Sequence, residues 1–342
     1  MPRIKNTLAF AFTFVTCAYP WLAGGKKGDA RTVETTQTET AVMWQDPEDI
    51  ASRNLYYGPG GKQHHPHGQF KFLKEDLDGS NPKFSVVDGD GVKWKIKLGI
   101  EARPETVATR LVWAAGYAAD EDYFVEQLRP ADMPVRLHRG QAFVAEDGSL
   151  HDVRLEREQE DGEKIGAWKW RHNPFANTRE LNALRVLMAL INNWDLEDKN
   201  NCVRECQDAQ GRPAQIYYIS DLGASFGTTQ LARPRAISKG DLESYRASGF
   251  IKRATAEYVD FETPKRPPVV FLVNPHEFFS RLRLHWIGQR IPRADARWTG
   301  ELLSRLSMNQ IRDAFRAAGY SPAQVEGFTQ VLRDRIEELN KL

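Results

Sequence analysis

Cysteine is scarce: Cys17, Cys202 and Cys206 are the only three in 342 residues. That excludes a scaffold built on disulfides. If Cys202 and Cys206 lie on one strand, four steps of ~3.3 Å set them ~13 Å apart. A disulfide needs Cα atoms within ~7 Å, so free thiols are expected. A charge surplus is also missing, because 47 basic residues face 46 acidic ones and leave a net charge of +1. A dedicated nucleic-acid binder works by neutralising phosphates with a basic excess, so no nucleic acid is expected as partner. No stable membrane span is expected in the mature chain. The apolar run from Leu8 to Ala23 is short of the ~20 residues a span needs, and Pro20 interrupts it. There is no His-Glu-x-x-His, which removes the usual signature of zinc proteases. No internal repeat occurs.

What is present is an ordinary globular composition, 41% hydrophobic and 27% charged. The length suits one large domain or two coupled lobes. Arg3 and Lys5 precede the apolar run, and Ala23-Gly24-Gly25 supplies small residues for cleavage after Gly25. This is the layout of a secretory signal peptide over residues 1–25, which predicts export to the periplasm or the exterior. An uncleaved N-terminal membrane anchor is the alternative, with the positive flank staying cytoplasmic. Residues 26–57, rich at first in Thr, Glu, Gln, Gly and Lys, are expected as a flexible linker. His64, His65 and His67 follow a Gly-Pro-Gly-Gly turn. With no carboxylate or cysteine at ligand spacing, and with Pro66 between them, they are expected in a solvated loop rather than at a metal.

Strands are expected at Phe70–Leu73 and Phe84–Val87, then a turn at Asp88-Gly89-Asp90-Gly91 and a return strand over Val92–Leu98. On that strand Lys93, Lys95 and Lys97 alternate with Trp94, Ile96 and Leu98, so the lysines share one face. A helix is expected from Pro104, capped by Gly116. Further strands are expected over 135–158, with an exposed acidic turn at Glu156–Glu163. From Thr178 the apolar spacing predicts a buried helix ending near Asn192, and after Asn201 comes a hairpin with Gly211-Arg212-Pro213 at its tip. Ser307 to Gln310 and Ser321 to Gln324 spell capping boxes in a mainly helical last third.

Between the buried helix and the hairpin stands Asn192-Asn193-Trp194-Asp195-Leu196-Glu197-Asp198-Lys199-Asn200-Asn201, and the return strand delivers Ser220-Asp221-Leu222-Gly223. An Asp, an Asn five residues on, and an Asp-x-Gly after a hairpin follow the order of a kinase site. The chemistry needs each part. Asp195 can orient an accepting hydroxyl and take its proton, while Asn200 and Asp221 supply hard oxygen ligands for Mg²⁺ or Mn²⁺ on the phosphates. Upstream, Lys97 ends a strand and Glu105 opens a helix, giving a phosphate-binding cation held by a carboxylate. Lys95 competes with Lys97 for that role. Gly223 is expected to allow a sharp turn.

These residues carry a resemblance. Lys97-Leu98-Gly99-Ile100-Glu101 looks like the lysine strand of phosphoinositide kinases, and the segment from Glu105 to Tyr117 resembles the first helix of HipA-type kinases. Asp195 to Asn200, with Lys199 before Asn200, resembles the HipA-type Asp-x-His-x-Lys-Asn loop. Under a third of the chain is covered. The resemblance implies an α+β, two-lobed protein-kinase-like fold with a small β-rich N-lobe over 58–165 and a mainly helical C-lobe over 166–342. It also implies ATP with Mg or Mn as cofactors, Lys97, Glu105 and Asp195 as catalytic residues, Lys97, Asn200 and Asp221 at the nucleotide, and Asn200 and Asp221 as metal ligands. Two positions depart from the pattern. Position 197 is Glu where the loop has His, and no glycine-rich phosphate loop stands out, since Asp88–Gly91 would set carboxylates beside phosphates. The expected function is transfer of a phosphoryl group from ATP to an unknown hydroxyl acceptor on a protein, lipid or small molecule. The alternative is an exported kinase-fold scaffold without turnover. Ala224–Arg253, with Arg233, Arg235, Lys239, Arg246, Lys252 and Arg253, would be the segment that meets an acidic substrate, or else a solvated loop.

Overall fold

The computed structural model describes residues 40–77, 82–158, 162–207, 211–228, 238–263 and 275–342. The expected signal segment 1–25 and the first part of the expected linker lie outside the described residues, as do Arg233 and Arg235.

The protein is mixed α+β, β-rich toward the N-terminus and mainly helical toward the C-terminus. A short strand β1 (Thr40–Val42) comes first, then β2 (Lys71–Asp76), β3 (Lys83–Val87) and β4 (Lys93–Leu98). Helix α1 (Ala102–Ala114) leads to β5 (Asp122–Leu128) and β6 (Leu150–Arg157). Strands β2 to β6 form an antiparallel sheet in the order β2-β3-β4-β6-β5. The alternation read on β4 holds at its start: Trp94 and Ile96 are buried while Lys93 and Lys95 stay in solvent. The β3–β4 turn is the expected one, with Gly91 in the left-handed region and the Asp88 carboxylate accepting from the backbone N–H groups of Asp90 and Val92. Strand β5 carries no clean alternation and escaped the sequence reading. Around Gly140 the chain forms a single 3-10 turn, Gln141–Phe143, rather than the expected strand.

Helix α1 starts two residues before Pro104 and stops where expected. Gly116 takes φ +95°, its N–H donates to Trp113 O at 2.9 Å, and the Tyr117 N–H donates to Val112 O at 3.2 Å, which is a Schellman ending. A Cβ on Gly116 would fall 2.3 Å from Gln45 O, so close approach as well as conformation requires glycine there.

That approach corrects the expected linker. Residues 40–57 are packed: β1 pairs in parallel with a strand of the second sheet, and Met43, Ile50 and Leu55 are buried. Trp44 Nε1 donates to Ala115 O at 2.7 Å, and the Arg53 guanidinium lies 4.8 Å over the Trp113 ring. Gln310 Nε2 donates to the carbonyls of Ile50 and Arg53. A polar composition predicts solvation, but a few apolar side chains and backbone bonds tie this stretch to both halves of the protein.

Beyond β7 (Glu163–Gly166) lies α2 (Arg179–Leu190), capped by Thr178 Oγ1 accepting from the Leu181 N–H. Every α2 residue from Leu181 to Leu190 is buried. The hairpin β8 (Asn201–Gln207) and β9 (Pro213–Ile219) joins β1 and β7 in a sheet ordered β1-β9-β8-β7. Cys202 and Cys206 lie on β8 and form no disulfide. After α3 (Leu242–Ala247), β10 (Ile251–Ala254) and β11 (Tyr258–Phe261) pair in a small sheet with β12 (Ile291–Pro292). Helices α4 (Pro275–Leu284), α5 (Arg293–Leu303), α6 (Met308–Ala317) and α7 (Pro322–Asn340) complete the helical part. Both expected capping boxes form, at Ser307 with Gln310 and at Ser321 with Gln324. Among the described residues no helix is long and apolar enough to cross a membrane.

Candidate active site

Lys97 is the one lysine of its face that leaves solvent: its side chain is 2% exposed, while that of Lys95 is 48% exposed and reaches Glu156 at 3.3 Å. Lys97 Nζ contacts Glu105 Oε2 at 2.7 Å, Asp221 Oδ1 at 2.9 Å and Glu101 Oε2 at 3.5 Å. Three separate segments thus converge on one ammonium: the end of β4, the first turn of α1, and the exit of β9. Glu105 is buried and also meets Arg154 Nε at 3.3 Å. Arg154, on β6, continues the network to Asp122 at 2.6 Å and Glu156 at 3.0 Å. Lys239 closes the other end through an ion pair with Glu101.

By residue count this network holds one more carboxylate than cations, and burial raises the carboxyl pKa values of Glu105 and Asp122. Three buried cations, Lys97, Arg154 and Lys239, with Lys95 at the surface, face Glu101, Glu105, Asp122, Glu156 and Asp221. Burial alone would push the Lys97 ammonium down, but Glu105 and Asp221 outweigh it and hold its pKa above the ordinary value. Burial tends to raise Asp221, yet Lys97 draws it down to about 2. Glu156 is likewise drawn to about 2, against burial, by Arg154 and Lys95. Asp120 goes the other way. Burial, with Glu156 and Asp122 nearby, lifts its carboxyl to about 7, although Ser220 Oγ donates to it at 2.9 Å.

Asp195 and Asn200 are held beside this cluster through the backbone. The segment after α2 runs along the segment after β9: the Phe226 N–H donates to Ile191 O at 2.8 Å, the Trp194 N–H to Ala224 O at 3.2 Å, and the Ser220 N–H to Asn200 O at 3.0 Å. Within the loop the Asn200 amide donates to Asp195 O at 2.8 Å, and the Asp195 N–H donates to Asn193 Oδ1 at 2.8 Å. Glu197, where the HipA-type loop has His, pairs with Lys199. The side chains of Asp195 and Asn200 are half-buried.

A cleft of about 670 Å³ opens on the cluster, walled by Lys83, Phe84, Lys97, Glu105, Cys202 and Asp221 among others. Asp195 and Asn200 are not part of its wall. Lys97, Glu105 and Asp221 are therefore brought together by side-chain contact, whereas Asp195 and Asn200 are brought alongside by main-chain bonds.

Two expectations change. The sharp bend falls on Asp221 itself, at φ +53°, and not on Gly223. Gly223 is required by proximity instead, since a Cβ there would stand 2.7 Å from Glu101 Cβ. Lys239, counted among substrate-facing basic residues, is buried against Glu101. Sequence reading also missed Arg154, Asp122 and Asp120. Arg154 left a signal, a cation between Val153 and Leu155 on an otherwise apolar strand centre, where a buried charge demands partners.

No known protein family matches the chain, and no curated protein matches it in sequence. Among solved structures it is similar to the crystal structure of a Helicobacter pylori proinflammatory kinase, CtkA, at 12% identity over 80% of this chain and 95% of that chain, with a TM-score of 0.41.

Proposed function

We propose that the protein is a kinase-like phosphotransferase that moves the γ-phosphoryl group of ATP to a hydroxyl acceptor with Mg²⁺ or Mn²⁺. One observation carries this reading: Lys97, on the third strand of its sheet, bonds at once to Glu105 of the following helix and to Asp221 after a hairpin. A strand lysine paired with a helix glutamate, near an Asp-x-Gly aspartate, is the constellation protein kinases use to hold ATP phosphates. The residue-level resemblance to HipA-type and phosphoinositide-kinase cores supports the same reading.

The donor chemistry fits a hard divalent cation. Glu101, Glu105 and Asp221 each offer an oxygen within 4.8 Å of the others, all three in contact with Lys97. Asp221, half-exposed at the cleft, would hold the metal, with Asn200 beside it. The metal would neutralise charge on the β- and γ-phosphates. Lys97 binds phosphate oxygens and Glu105 keeps it aimed. Asp195 accepts the proton of the attacking hydroxyl as its oxygen bonds to the γ-phosphorus. The bond from that phosphorus to the bridging oxygen breaks, and its electron pair leaves with ADP.

The test is thermal denaturation with ATP and Mg²⁺ or Mn²⁺, followed by transfer of a labelled γ-phosphoryl group. Ligand at a hundred times its Kd should add ~2.7 kcal/mol of stability. A folded chain that takes no nucleotide with either metal would overturn the proposal. A scaffold without turnover is the second reading, favoured by the absence of Asp195 and Asn200 from the cleft wall. It predicts binding without transfer to any acceptor. We further propose that residues 1–25 direct export, on the strength of their charged and apolar layout. N-terminal sequencing of the native protein tests this, and an intact Met1 in a cytosolic fraction refutes it.

A further inference from the structure

A second concavity borders the Asp195–Asn200 loop, and its chemistry differs from that of the cleft. It encloses about 360 Å³ and is lined by Glu197, Asp198 and Lys199 of that loop, by Lys169, Trp170 and Arg171, and by Arg283 and Trp286. Its two acids are engaged: Glu197 pairs with Lys199, and Asp198 Oδ1 accepts from the Trp170 N–H at 3.1 Å. Lys169, Arg171 and Arg283 have no carboxylate partner among the described residues. The Arg171 guanidinium carbon lies 4.2 Å from the centre of the Trp286 ring, and its N–H groups have no carboxylate acceptor among the described residues. Trp170 is 2% exposed and its Nε1 has no hydrogen-bond partner, although a buried indole N–H ordinarily finds an acceptor.

Resting on the phosphotransfer reading, we propose that this groove is the acceptor site and takes a small hydroxyl-bearing anion, a phosphorylated or carboxylated polyol. Unpaired cations supply the attraction for the anionic group. An anionic oxygen reaching Trp170 Nε1 would satisfy that orphan donor. The volume suits a small molecule. The groove is lined by Glu197 to Lys199 of the same loop that carries the proposed base Asp195.

The experiment is isothermal titration of the full chain with glycerol 3-phosphate, glucose 6-phosphate and gluconate, with glucose as the neutral control. At least one anion should bind and glucose should not. Lys169→Glu reverses a charge whose residue contributes only its backbone carbonyl to internal hydrogen bonds. Trp170→Phe removes the orphan donor and keeps an aromatic ring, so a purely structural role for Nε1 predicts unchanged or greater stability. Each substitution should weaken anion binding about tenfold or more while leaving the MgATP thermal shift unchanged. The proposal is overturned if no anion binds better than glucose, or if both variants bind anions as the wild type does. Tighter binding of a glutamate-rich peptide than of any small anion would overturn the ligand class. A wild type that binds the anions but takes no MgATP would remove the acceptor role and the phosphotransfer reading together, leaving an anion pocket. Binding of MgATP without any anion would remove this inference alone.

Discussion

The cleft triad and the Asp195–Asn200 loop are neighbours built on opposite principles. Lys97 and Glu105 stand on adjacent elements while Asp221 comes from far along the chain, and ion pairs between their side chains join them. The loop is local, and its position comes from main-chain bonds to the 220–226 segment and from its own Asn193 and Asn200 amides. A buried ion pair is costly to break from one side, because the surviving charge stays in a low dielectric. A loop tied by its backbone tolerates side-chain changes. The triad should therefore report on folding and function together, and the loop on function alone.

The strongest way to expose this difference is Lys97→Met. It leaves Glu105 and Asp221 without their shared cation, and should cost ~3–5 kcal/mol in urea unfolding and abolish nucleotide binding. Lys95→Met, on the same face but exposed, should cost under ~1 kcal/mol. Equal losses from the two lysines would erase the distinction between a structural triad and a solvated strand face.

Asp221→Asn and Asp195→Asn come next. The first removes a metal-holding charge and should eliminate the thermal shift given by MgATP, worth ~2.7 kcal/mol at a hundredfold excess over Kd. The second should keep that shift and lower transfer by ~10²–10⁴-fold, the usual contribution of a general base. Loss of nucleotide binding in Asp195→Asn would put that residue in the cleft after all.

Gly223→Ala tests the contact behind the triad. Its Cβ would meet Glu101, and overpacking of this kind costs ~1–3 kcal/mol. Gly89→Ala, with open space around it, serves as the control and should change little.

A subtler effect lies in pH dependence. The Asp120 carboxyl titrates at about 7 in the folded protein and near its ordinary value of 3.8 when unfolded. Between those values the folded state holds the extra proton, so this group's contribution to stability is full below about pH 4 and is lost as pH rises toward 7 and beyond. Asp221 has the opposite sign, because its folded value of about 2 lies below the unfolded one. Its contribution is present above about pH 4 and fades as pH falls toward 2. Asp120→Asn should flatten the decline in urea midpoint between pH 5 and 8. An unchanged slope would mean that Asp120 is ionised in the folded protein throughout.

The smallest predicted effect is far from both regions. Ser307→Ala removes a capping-box oxygen and should cost about 1 kcal/mol with no change in nucleotide binding.

Local rules made much of this legible in advance. The Asp88–Gly91 turn, the Gly116 ending of α1, the helix start after Thr178 and both capping boxes depend on residues a few positions apart, and all form. The candidate residues could be listed for a similar reason, since strand lysine, helix glutamate, Asp-x4-Asn and Asp-x-Gly are each short patterns. What escaped was long-range. Nothing near β5 or β6 says that Arg154 bridges Glu105 to Asp122, because that bridge exists only once β6 lies beside β4. Residues 40–57 read as linker because their partners, β9 and the ends of α1 and α6, are distant in the chain.

By itself, then, the sequence determined the turns, the caps, the alternation of β4 and the identity of the chemical groups, because these follow from backbone sterics and side-chain spacing within a few residues. Only the tertiary structure decided that Lys97 rather than Lys95 is buried, that Lys239 turns inward to Glu101, and that Gly223 serves close approach while Asp221 takes the bend. Burial and electrostatic pairing depend on which segments meet, and a charge is driven inward only where opposite charges from other segments already wait to receive it.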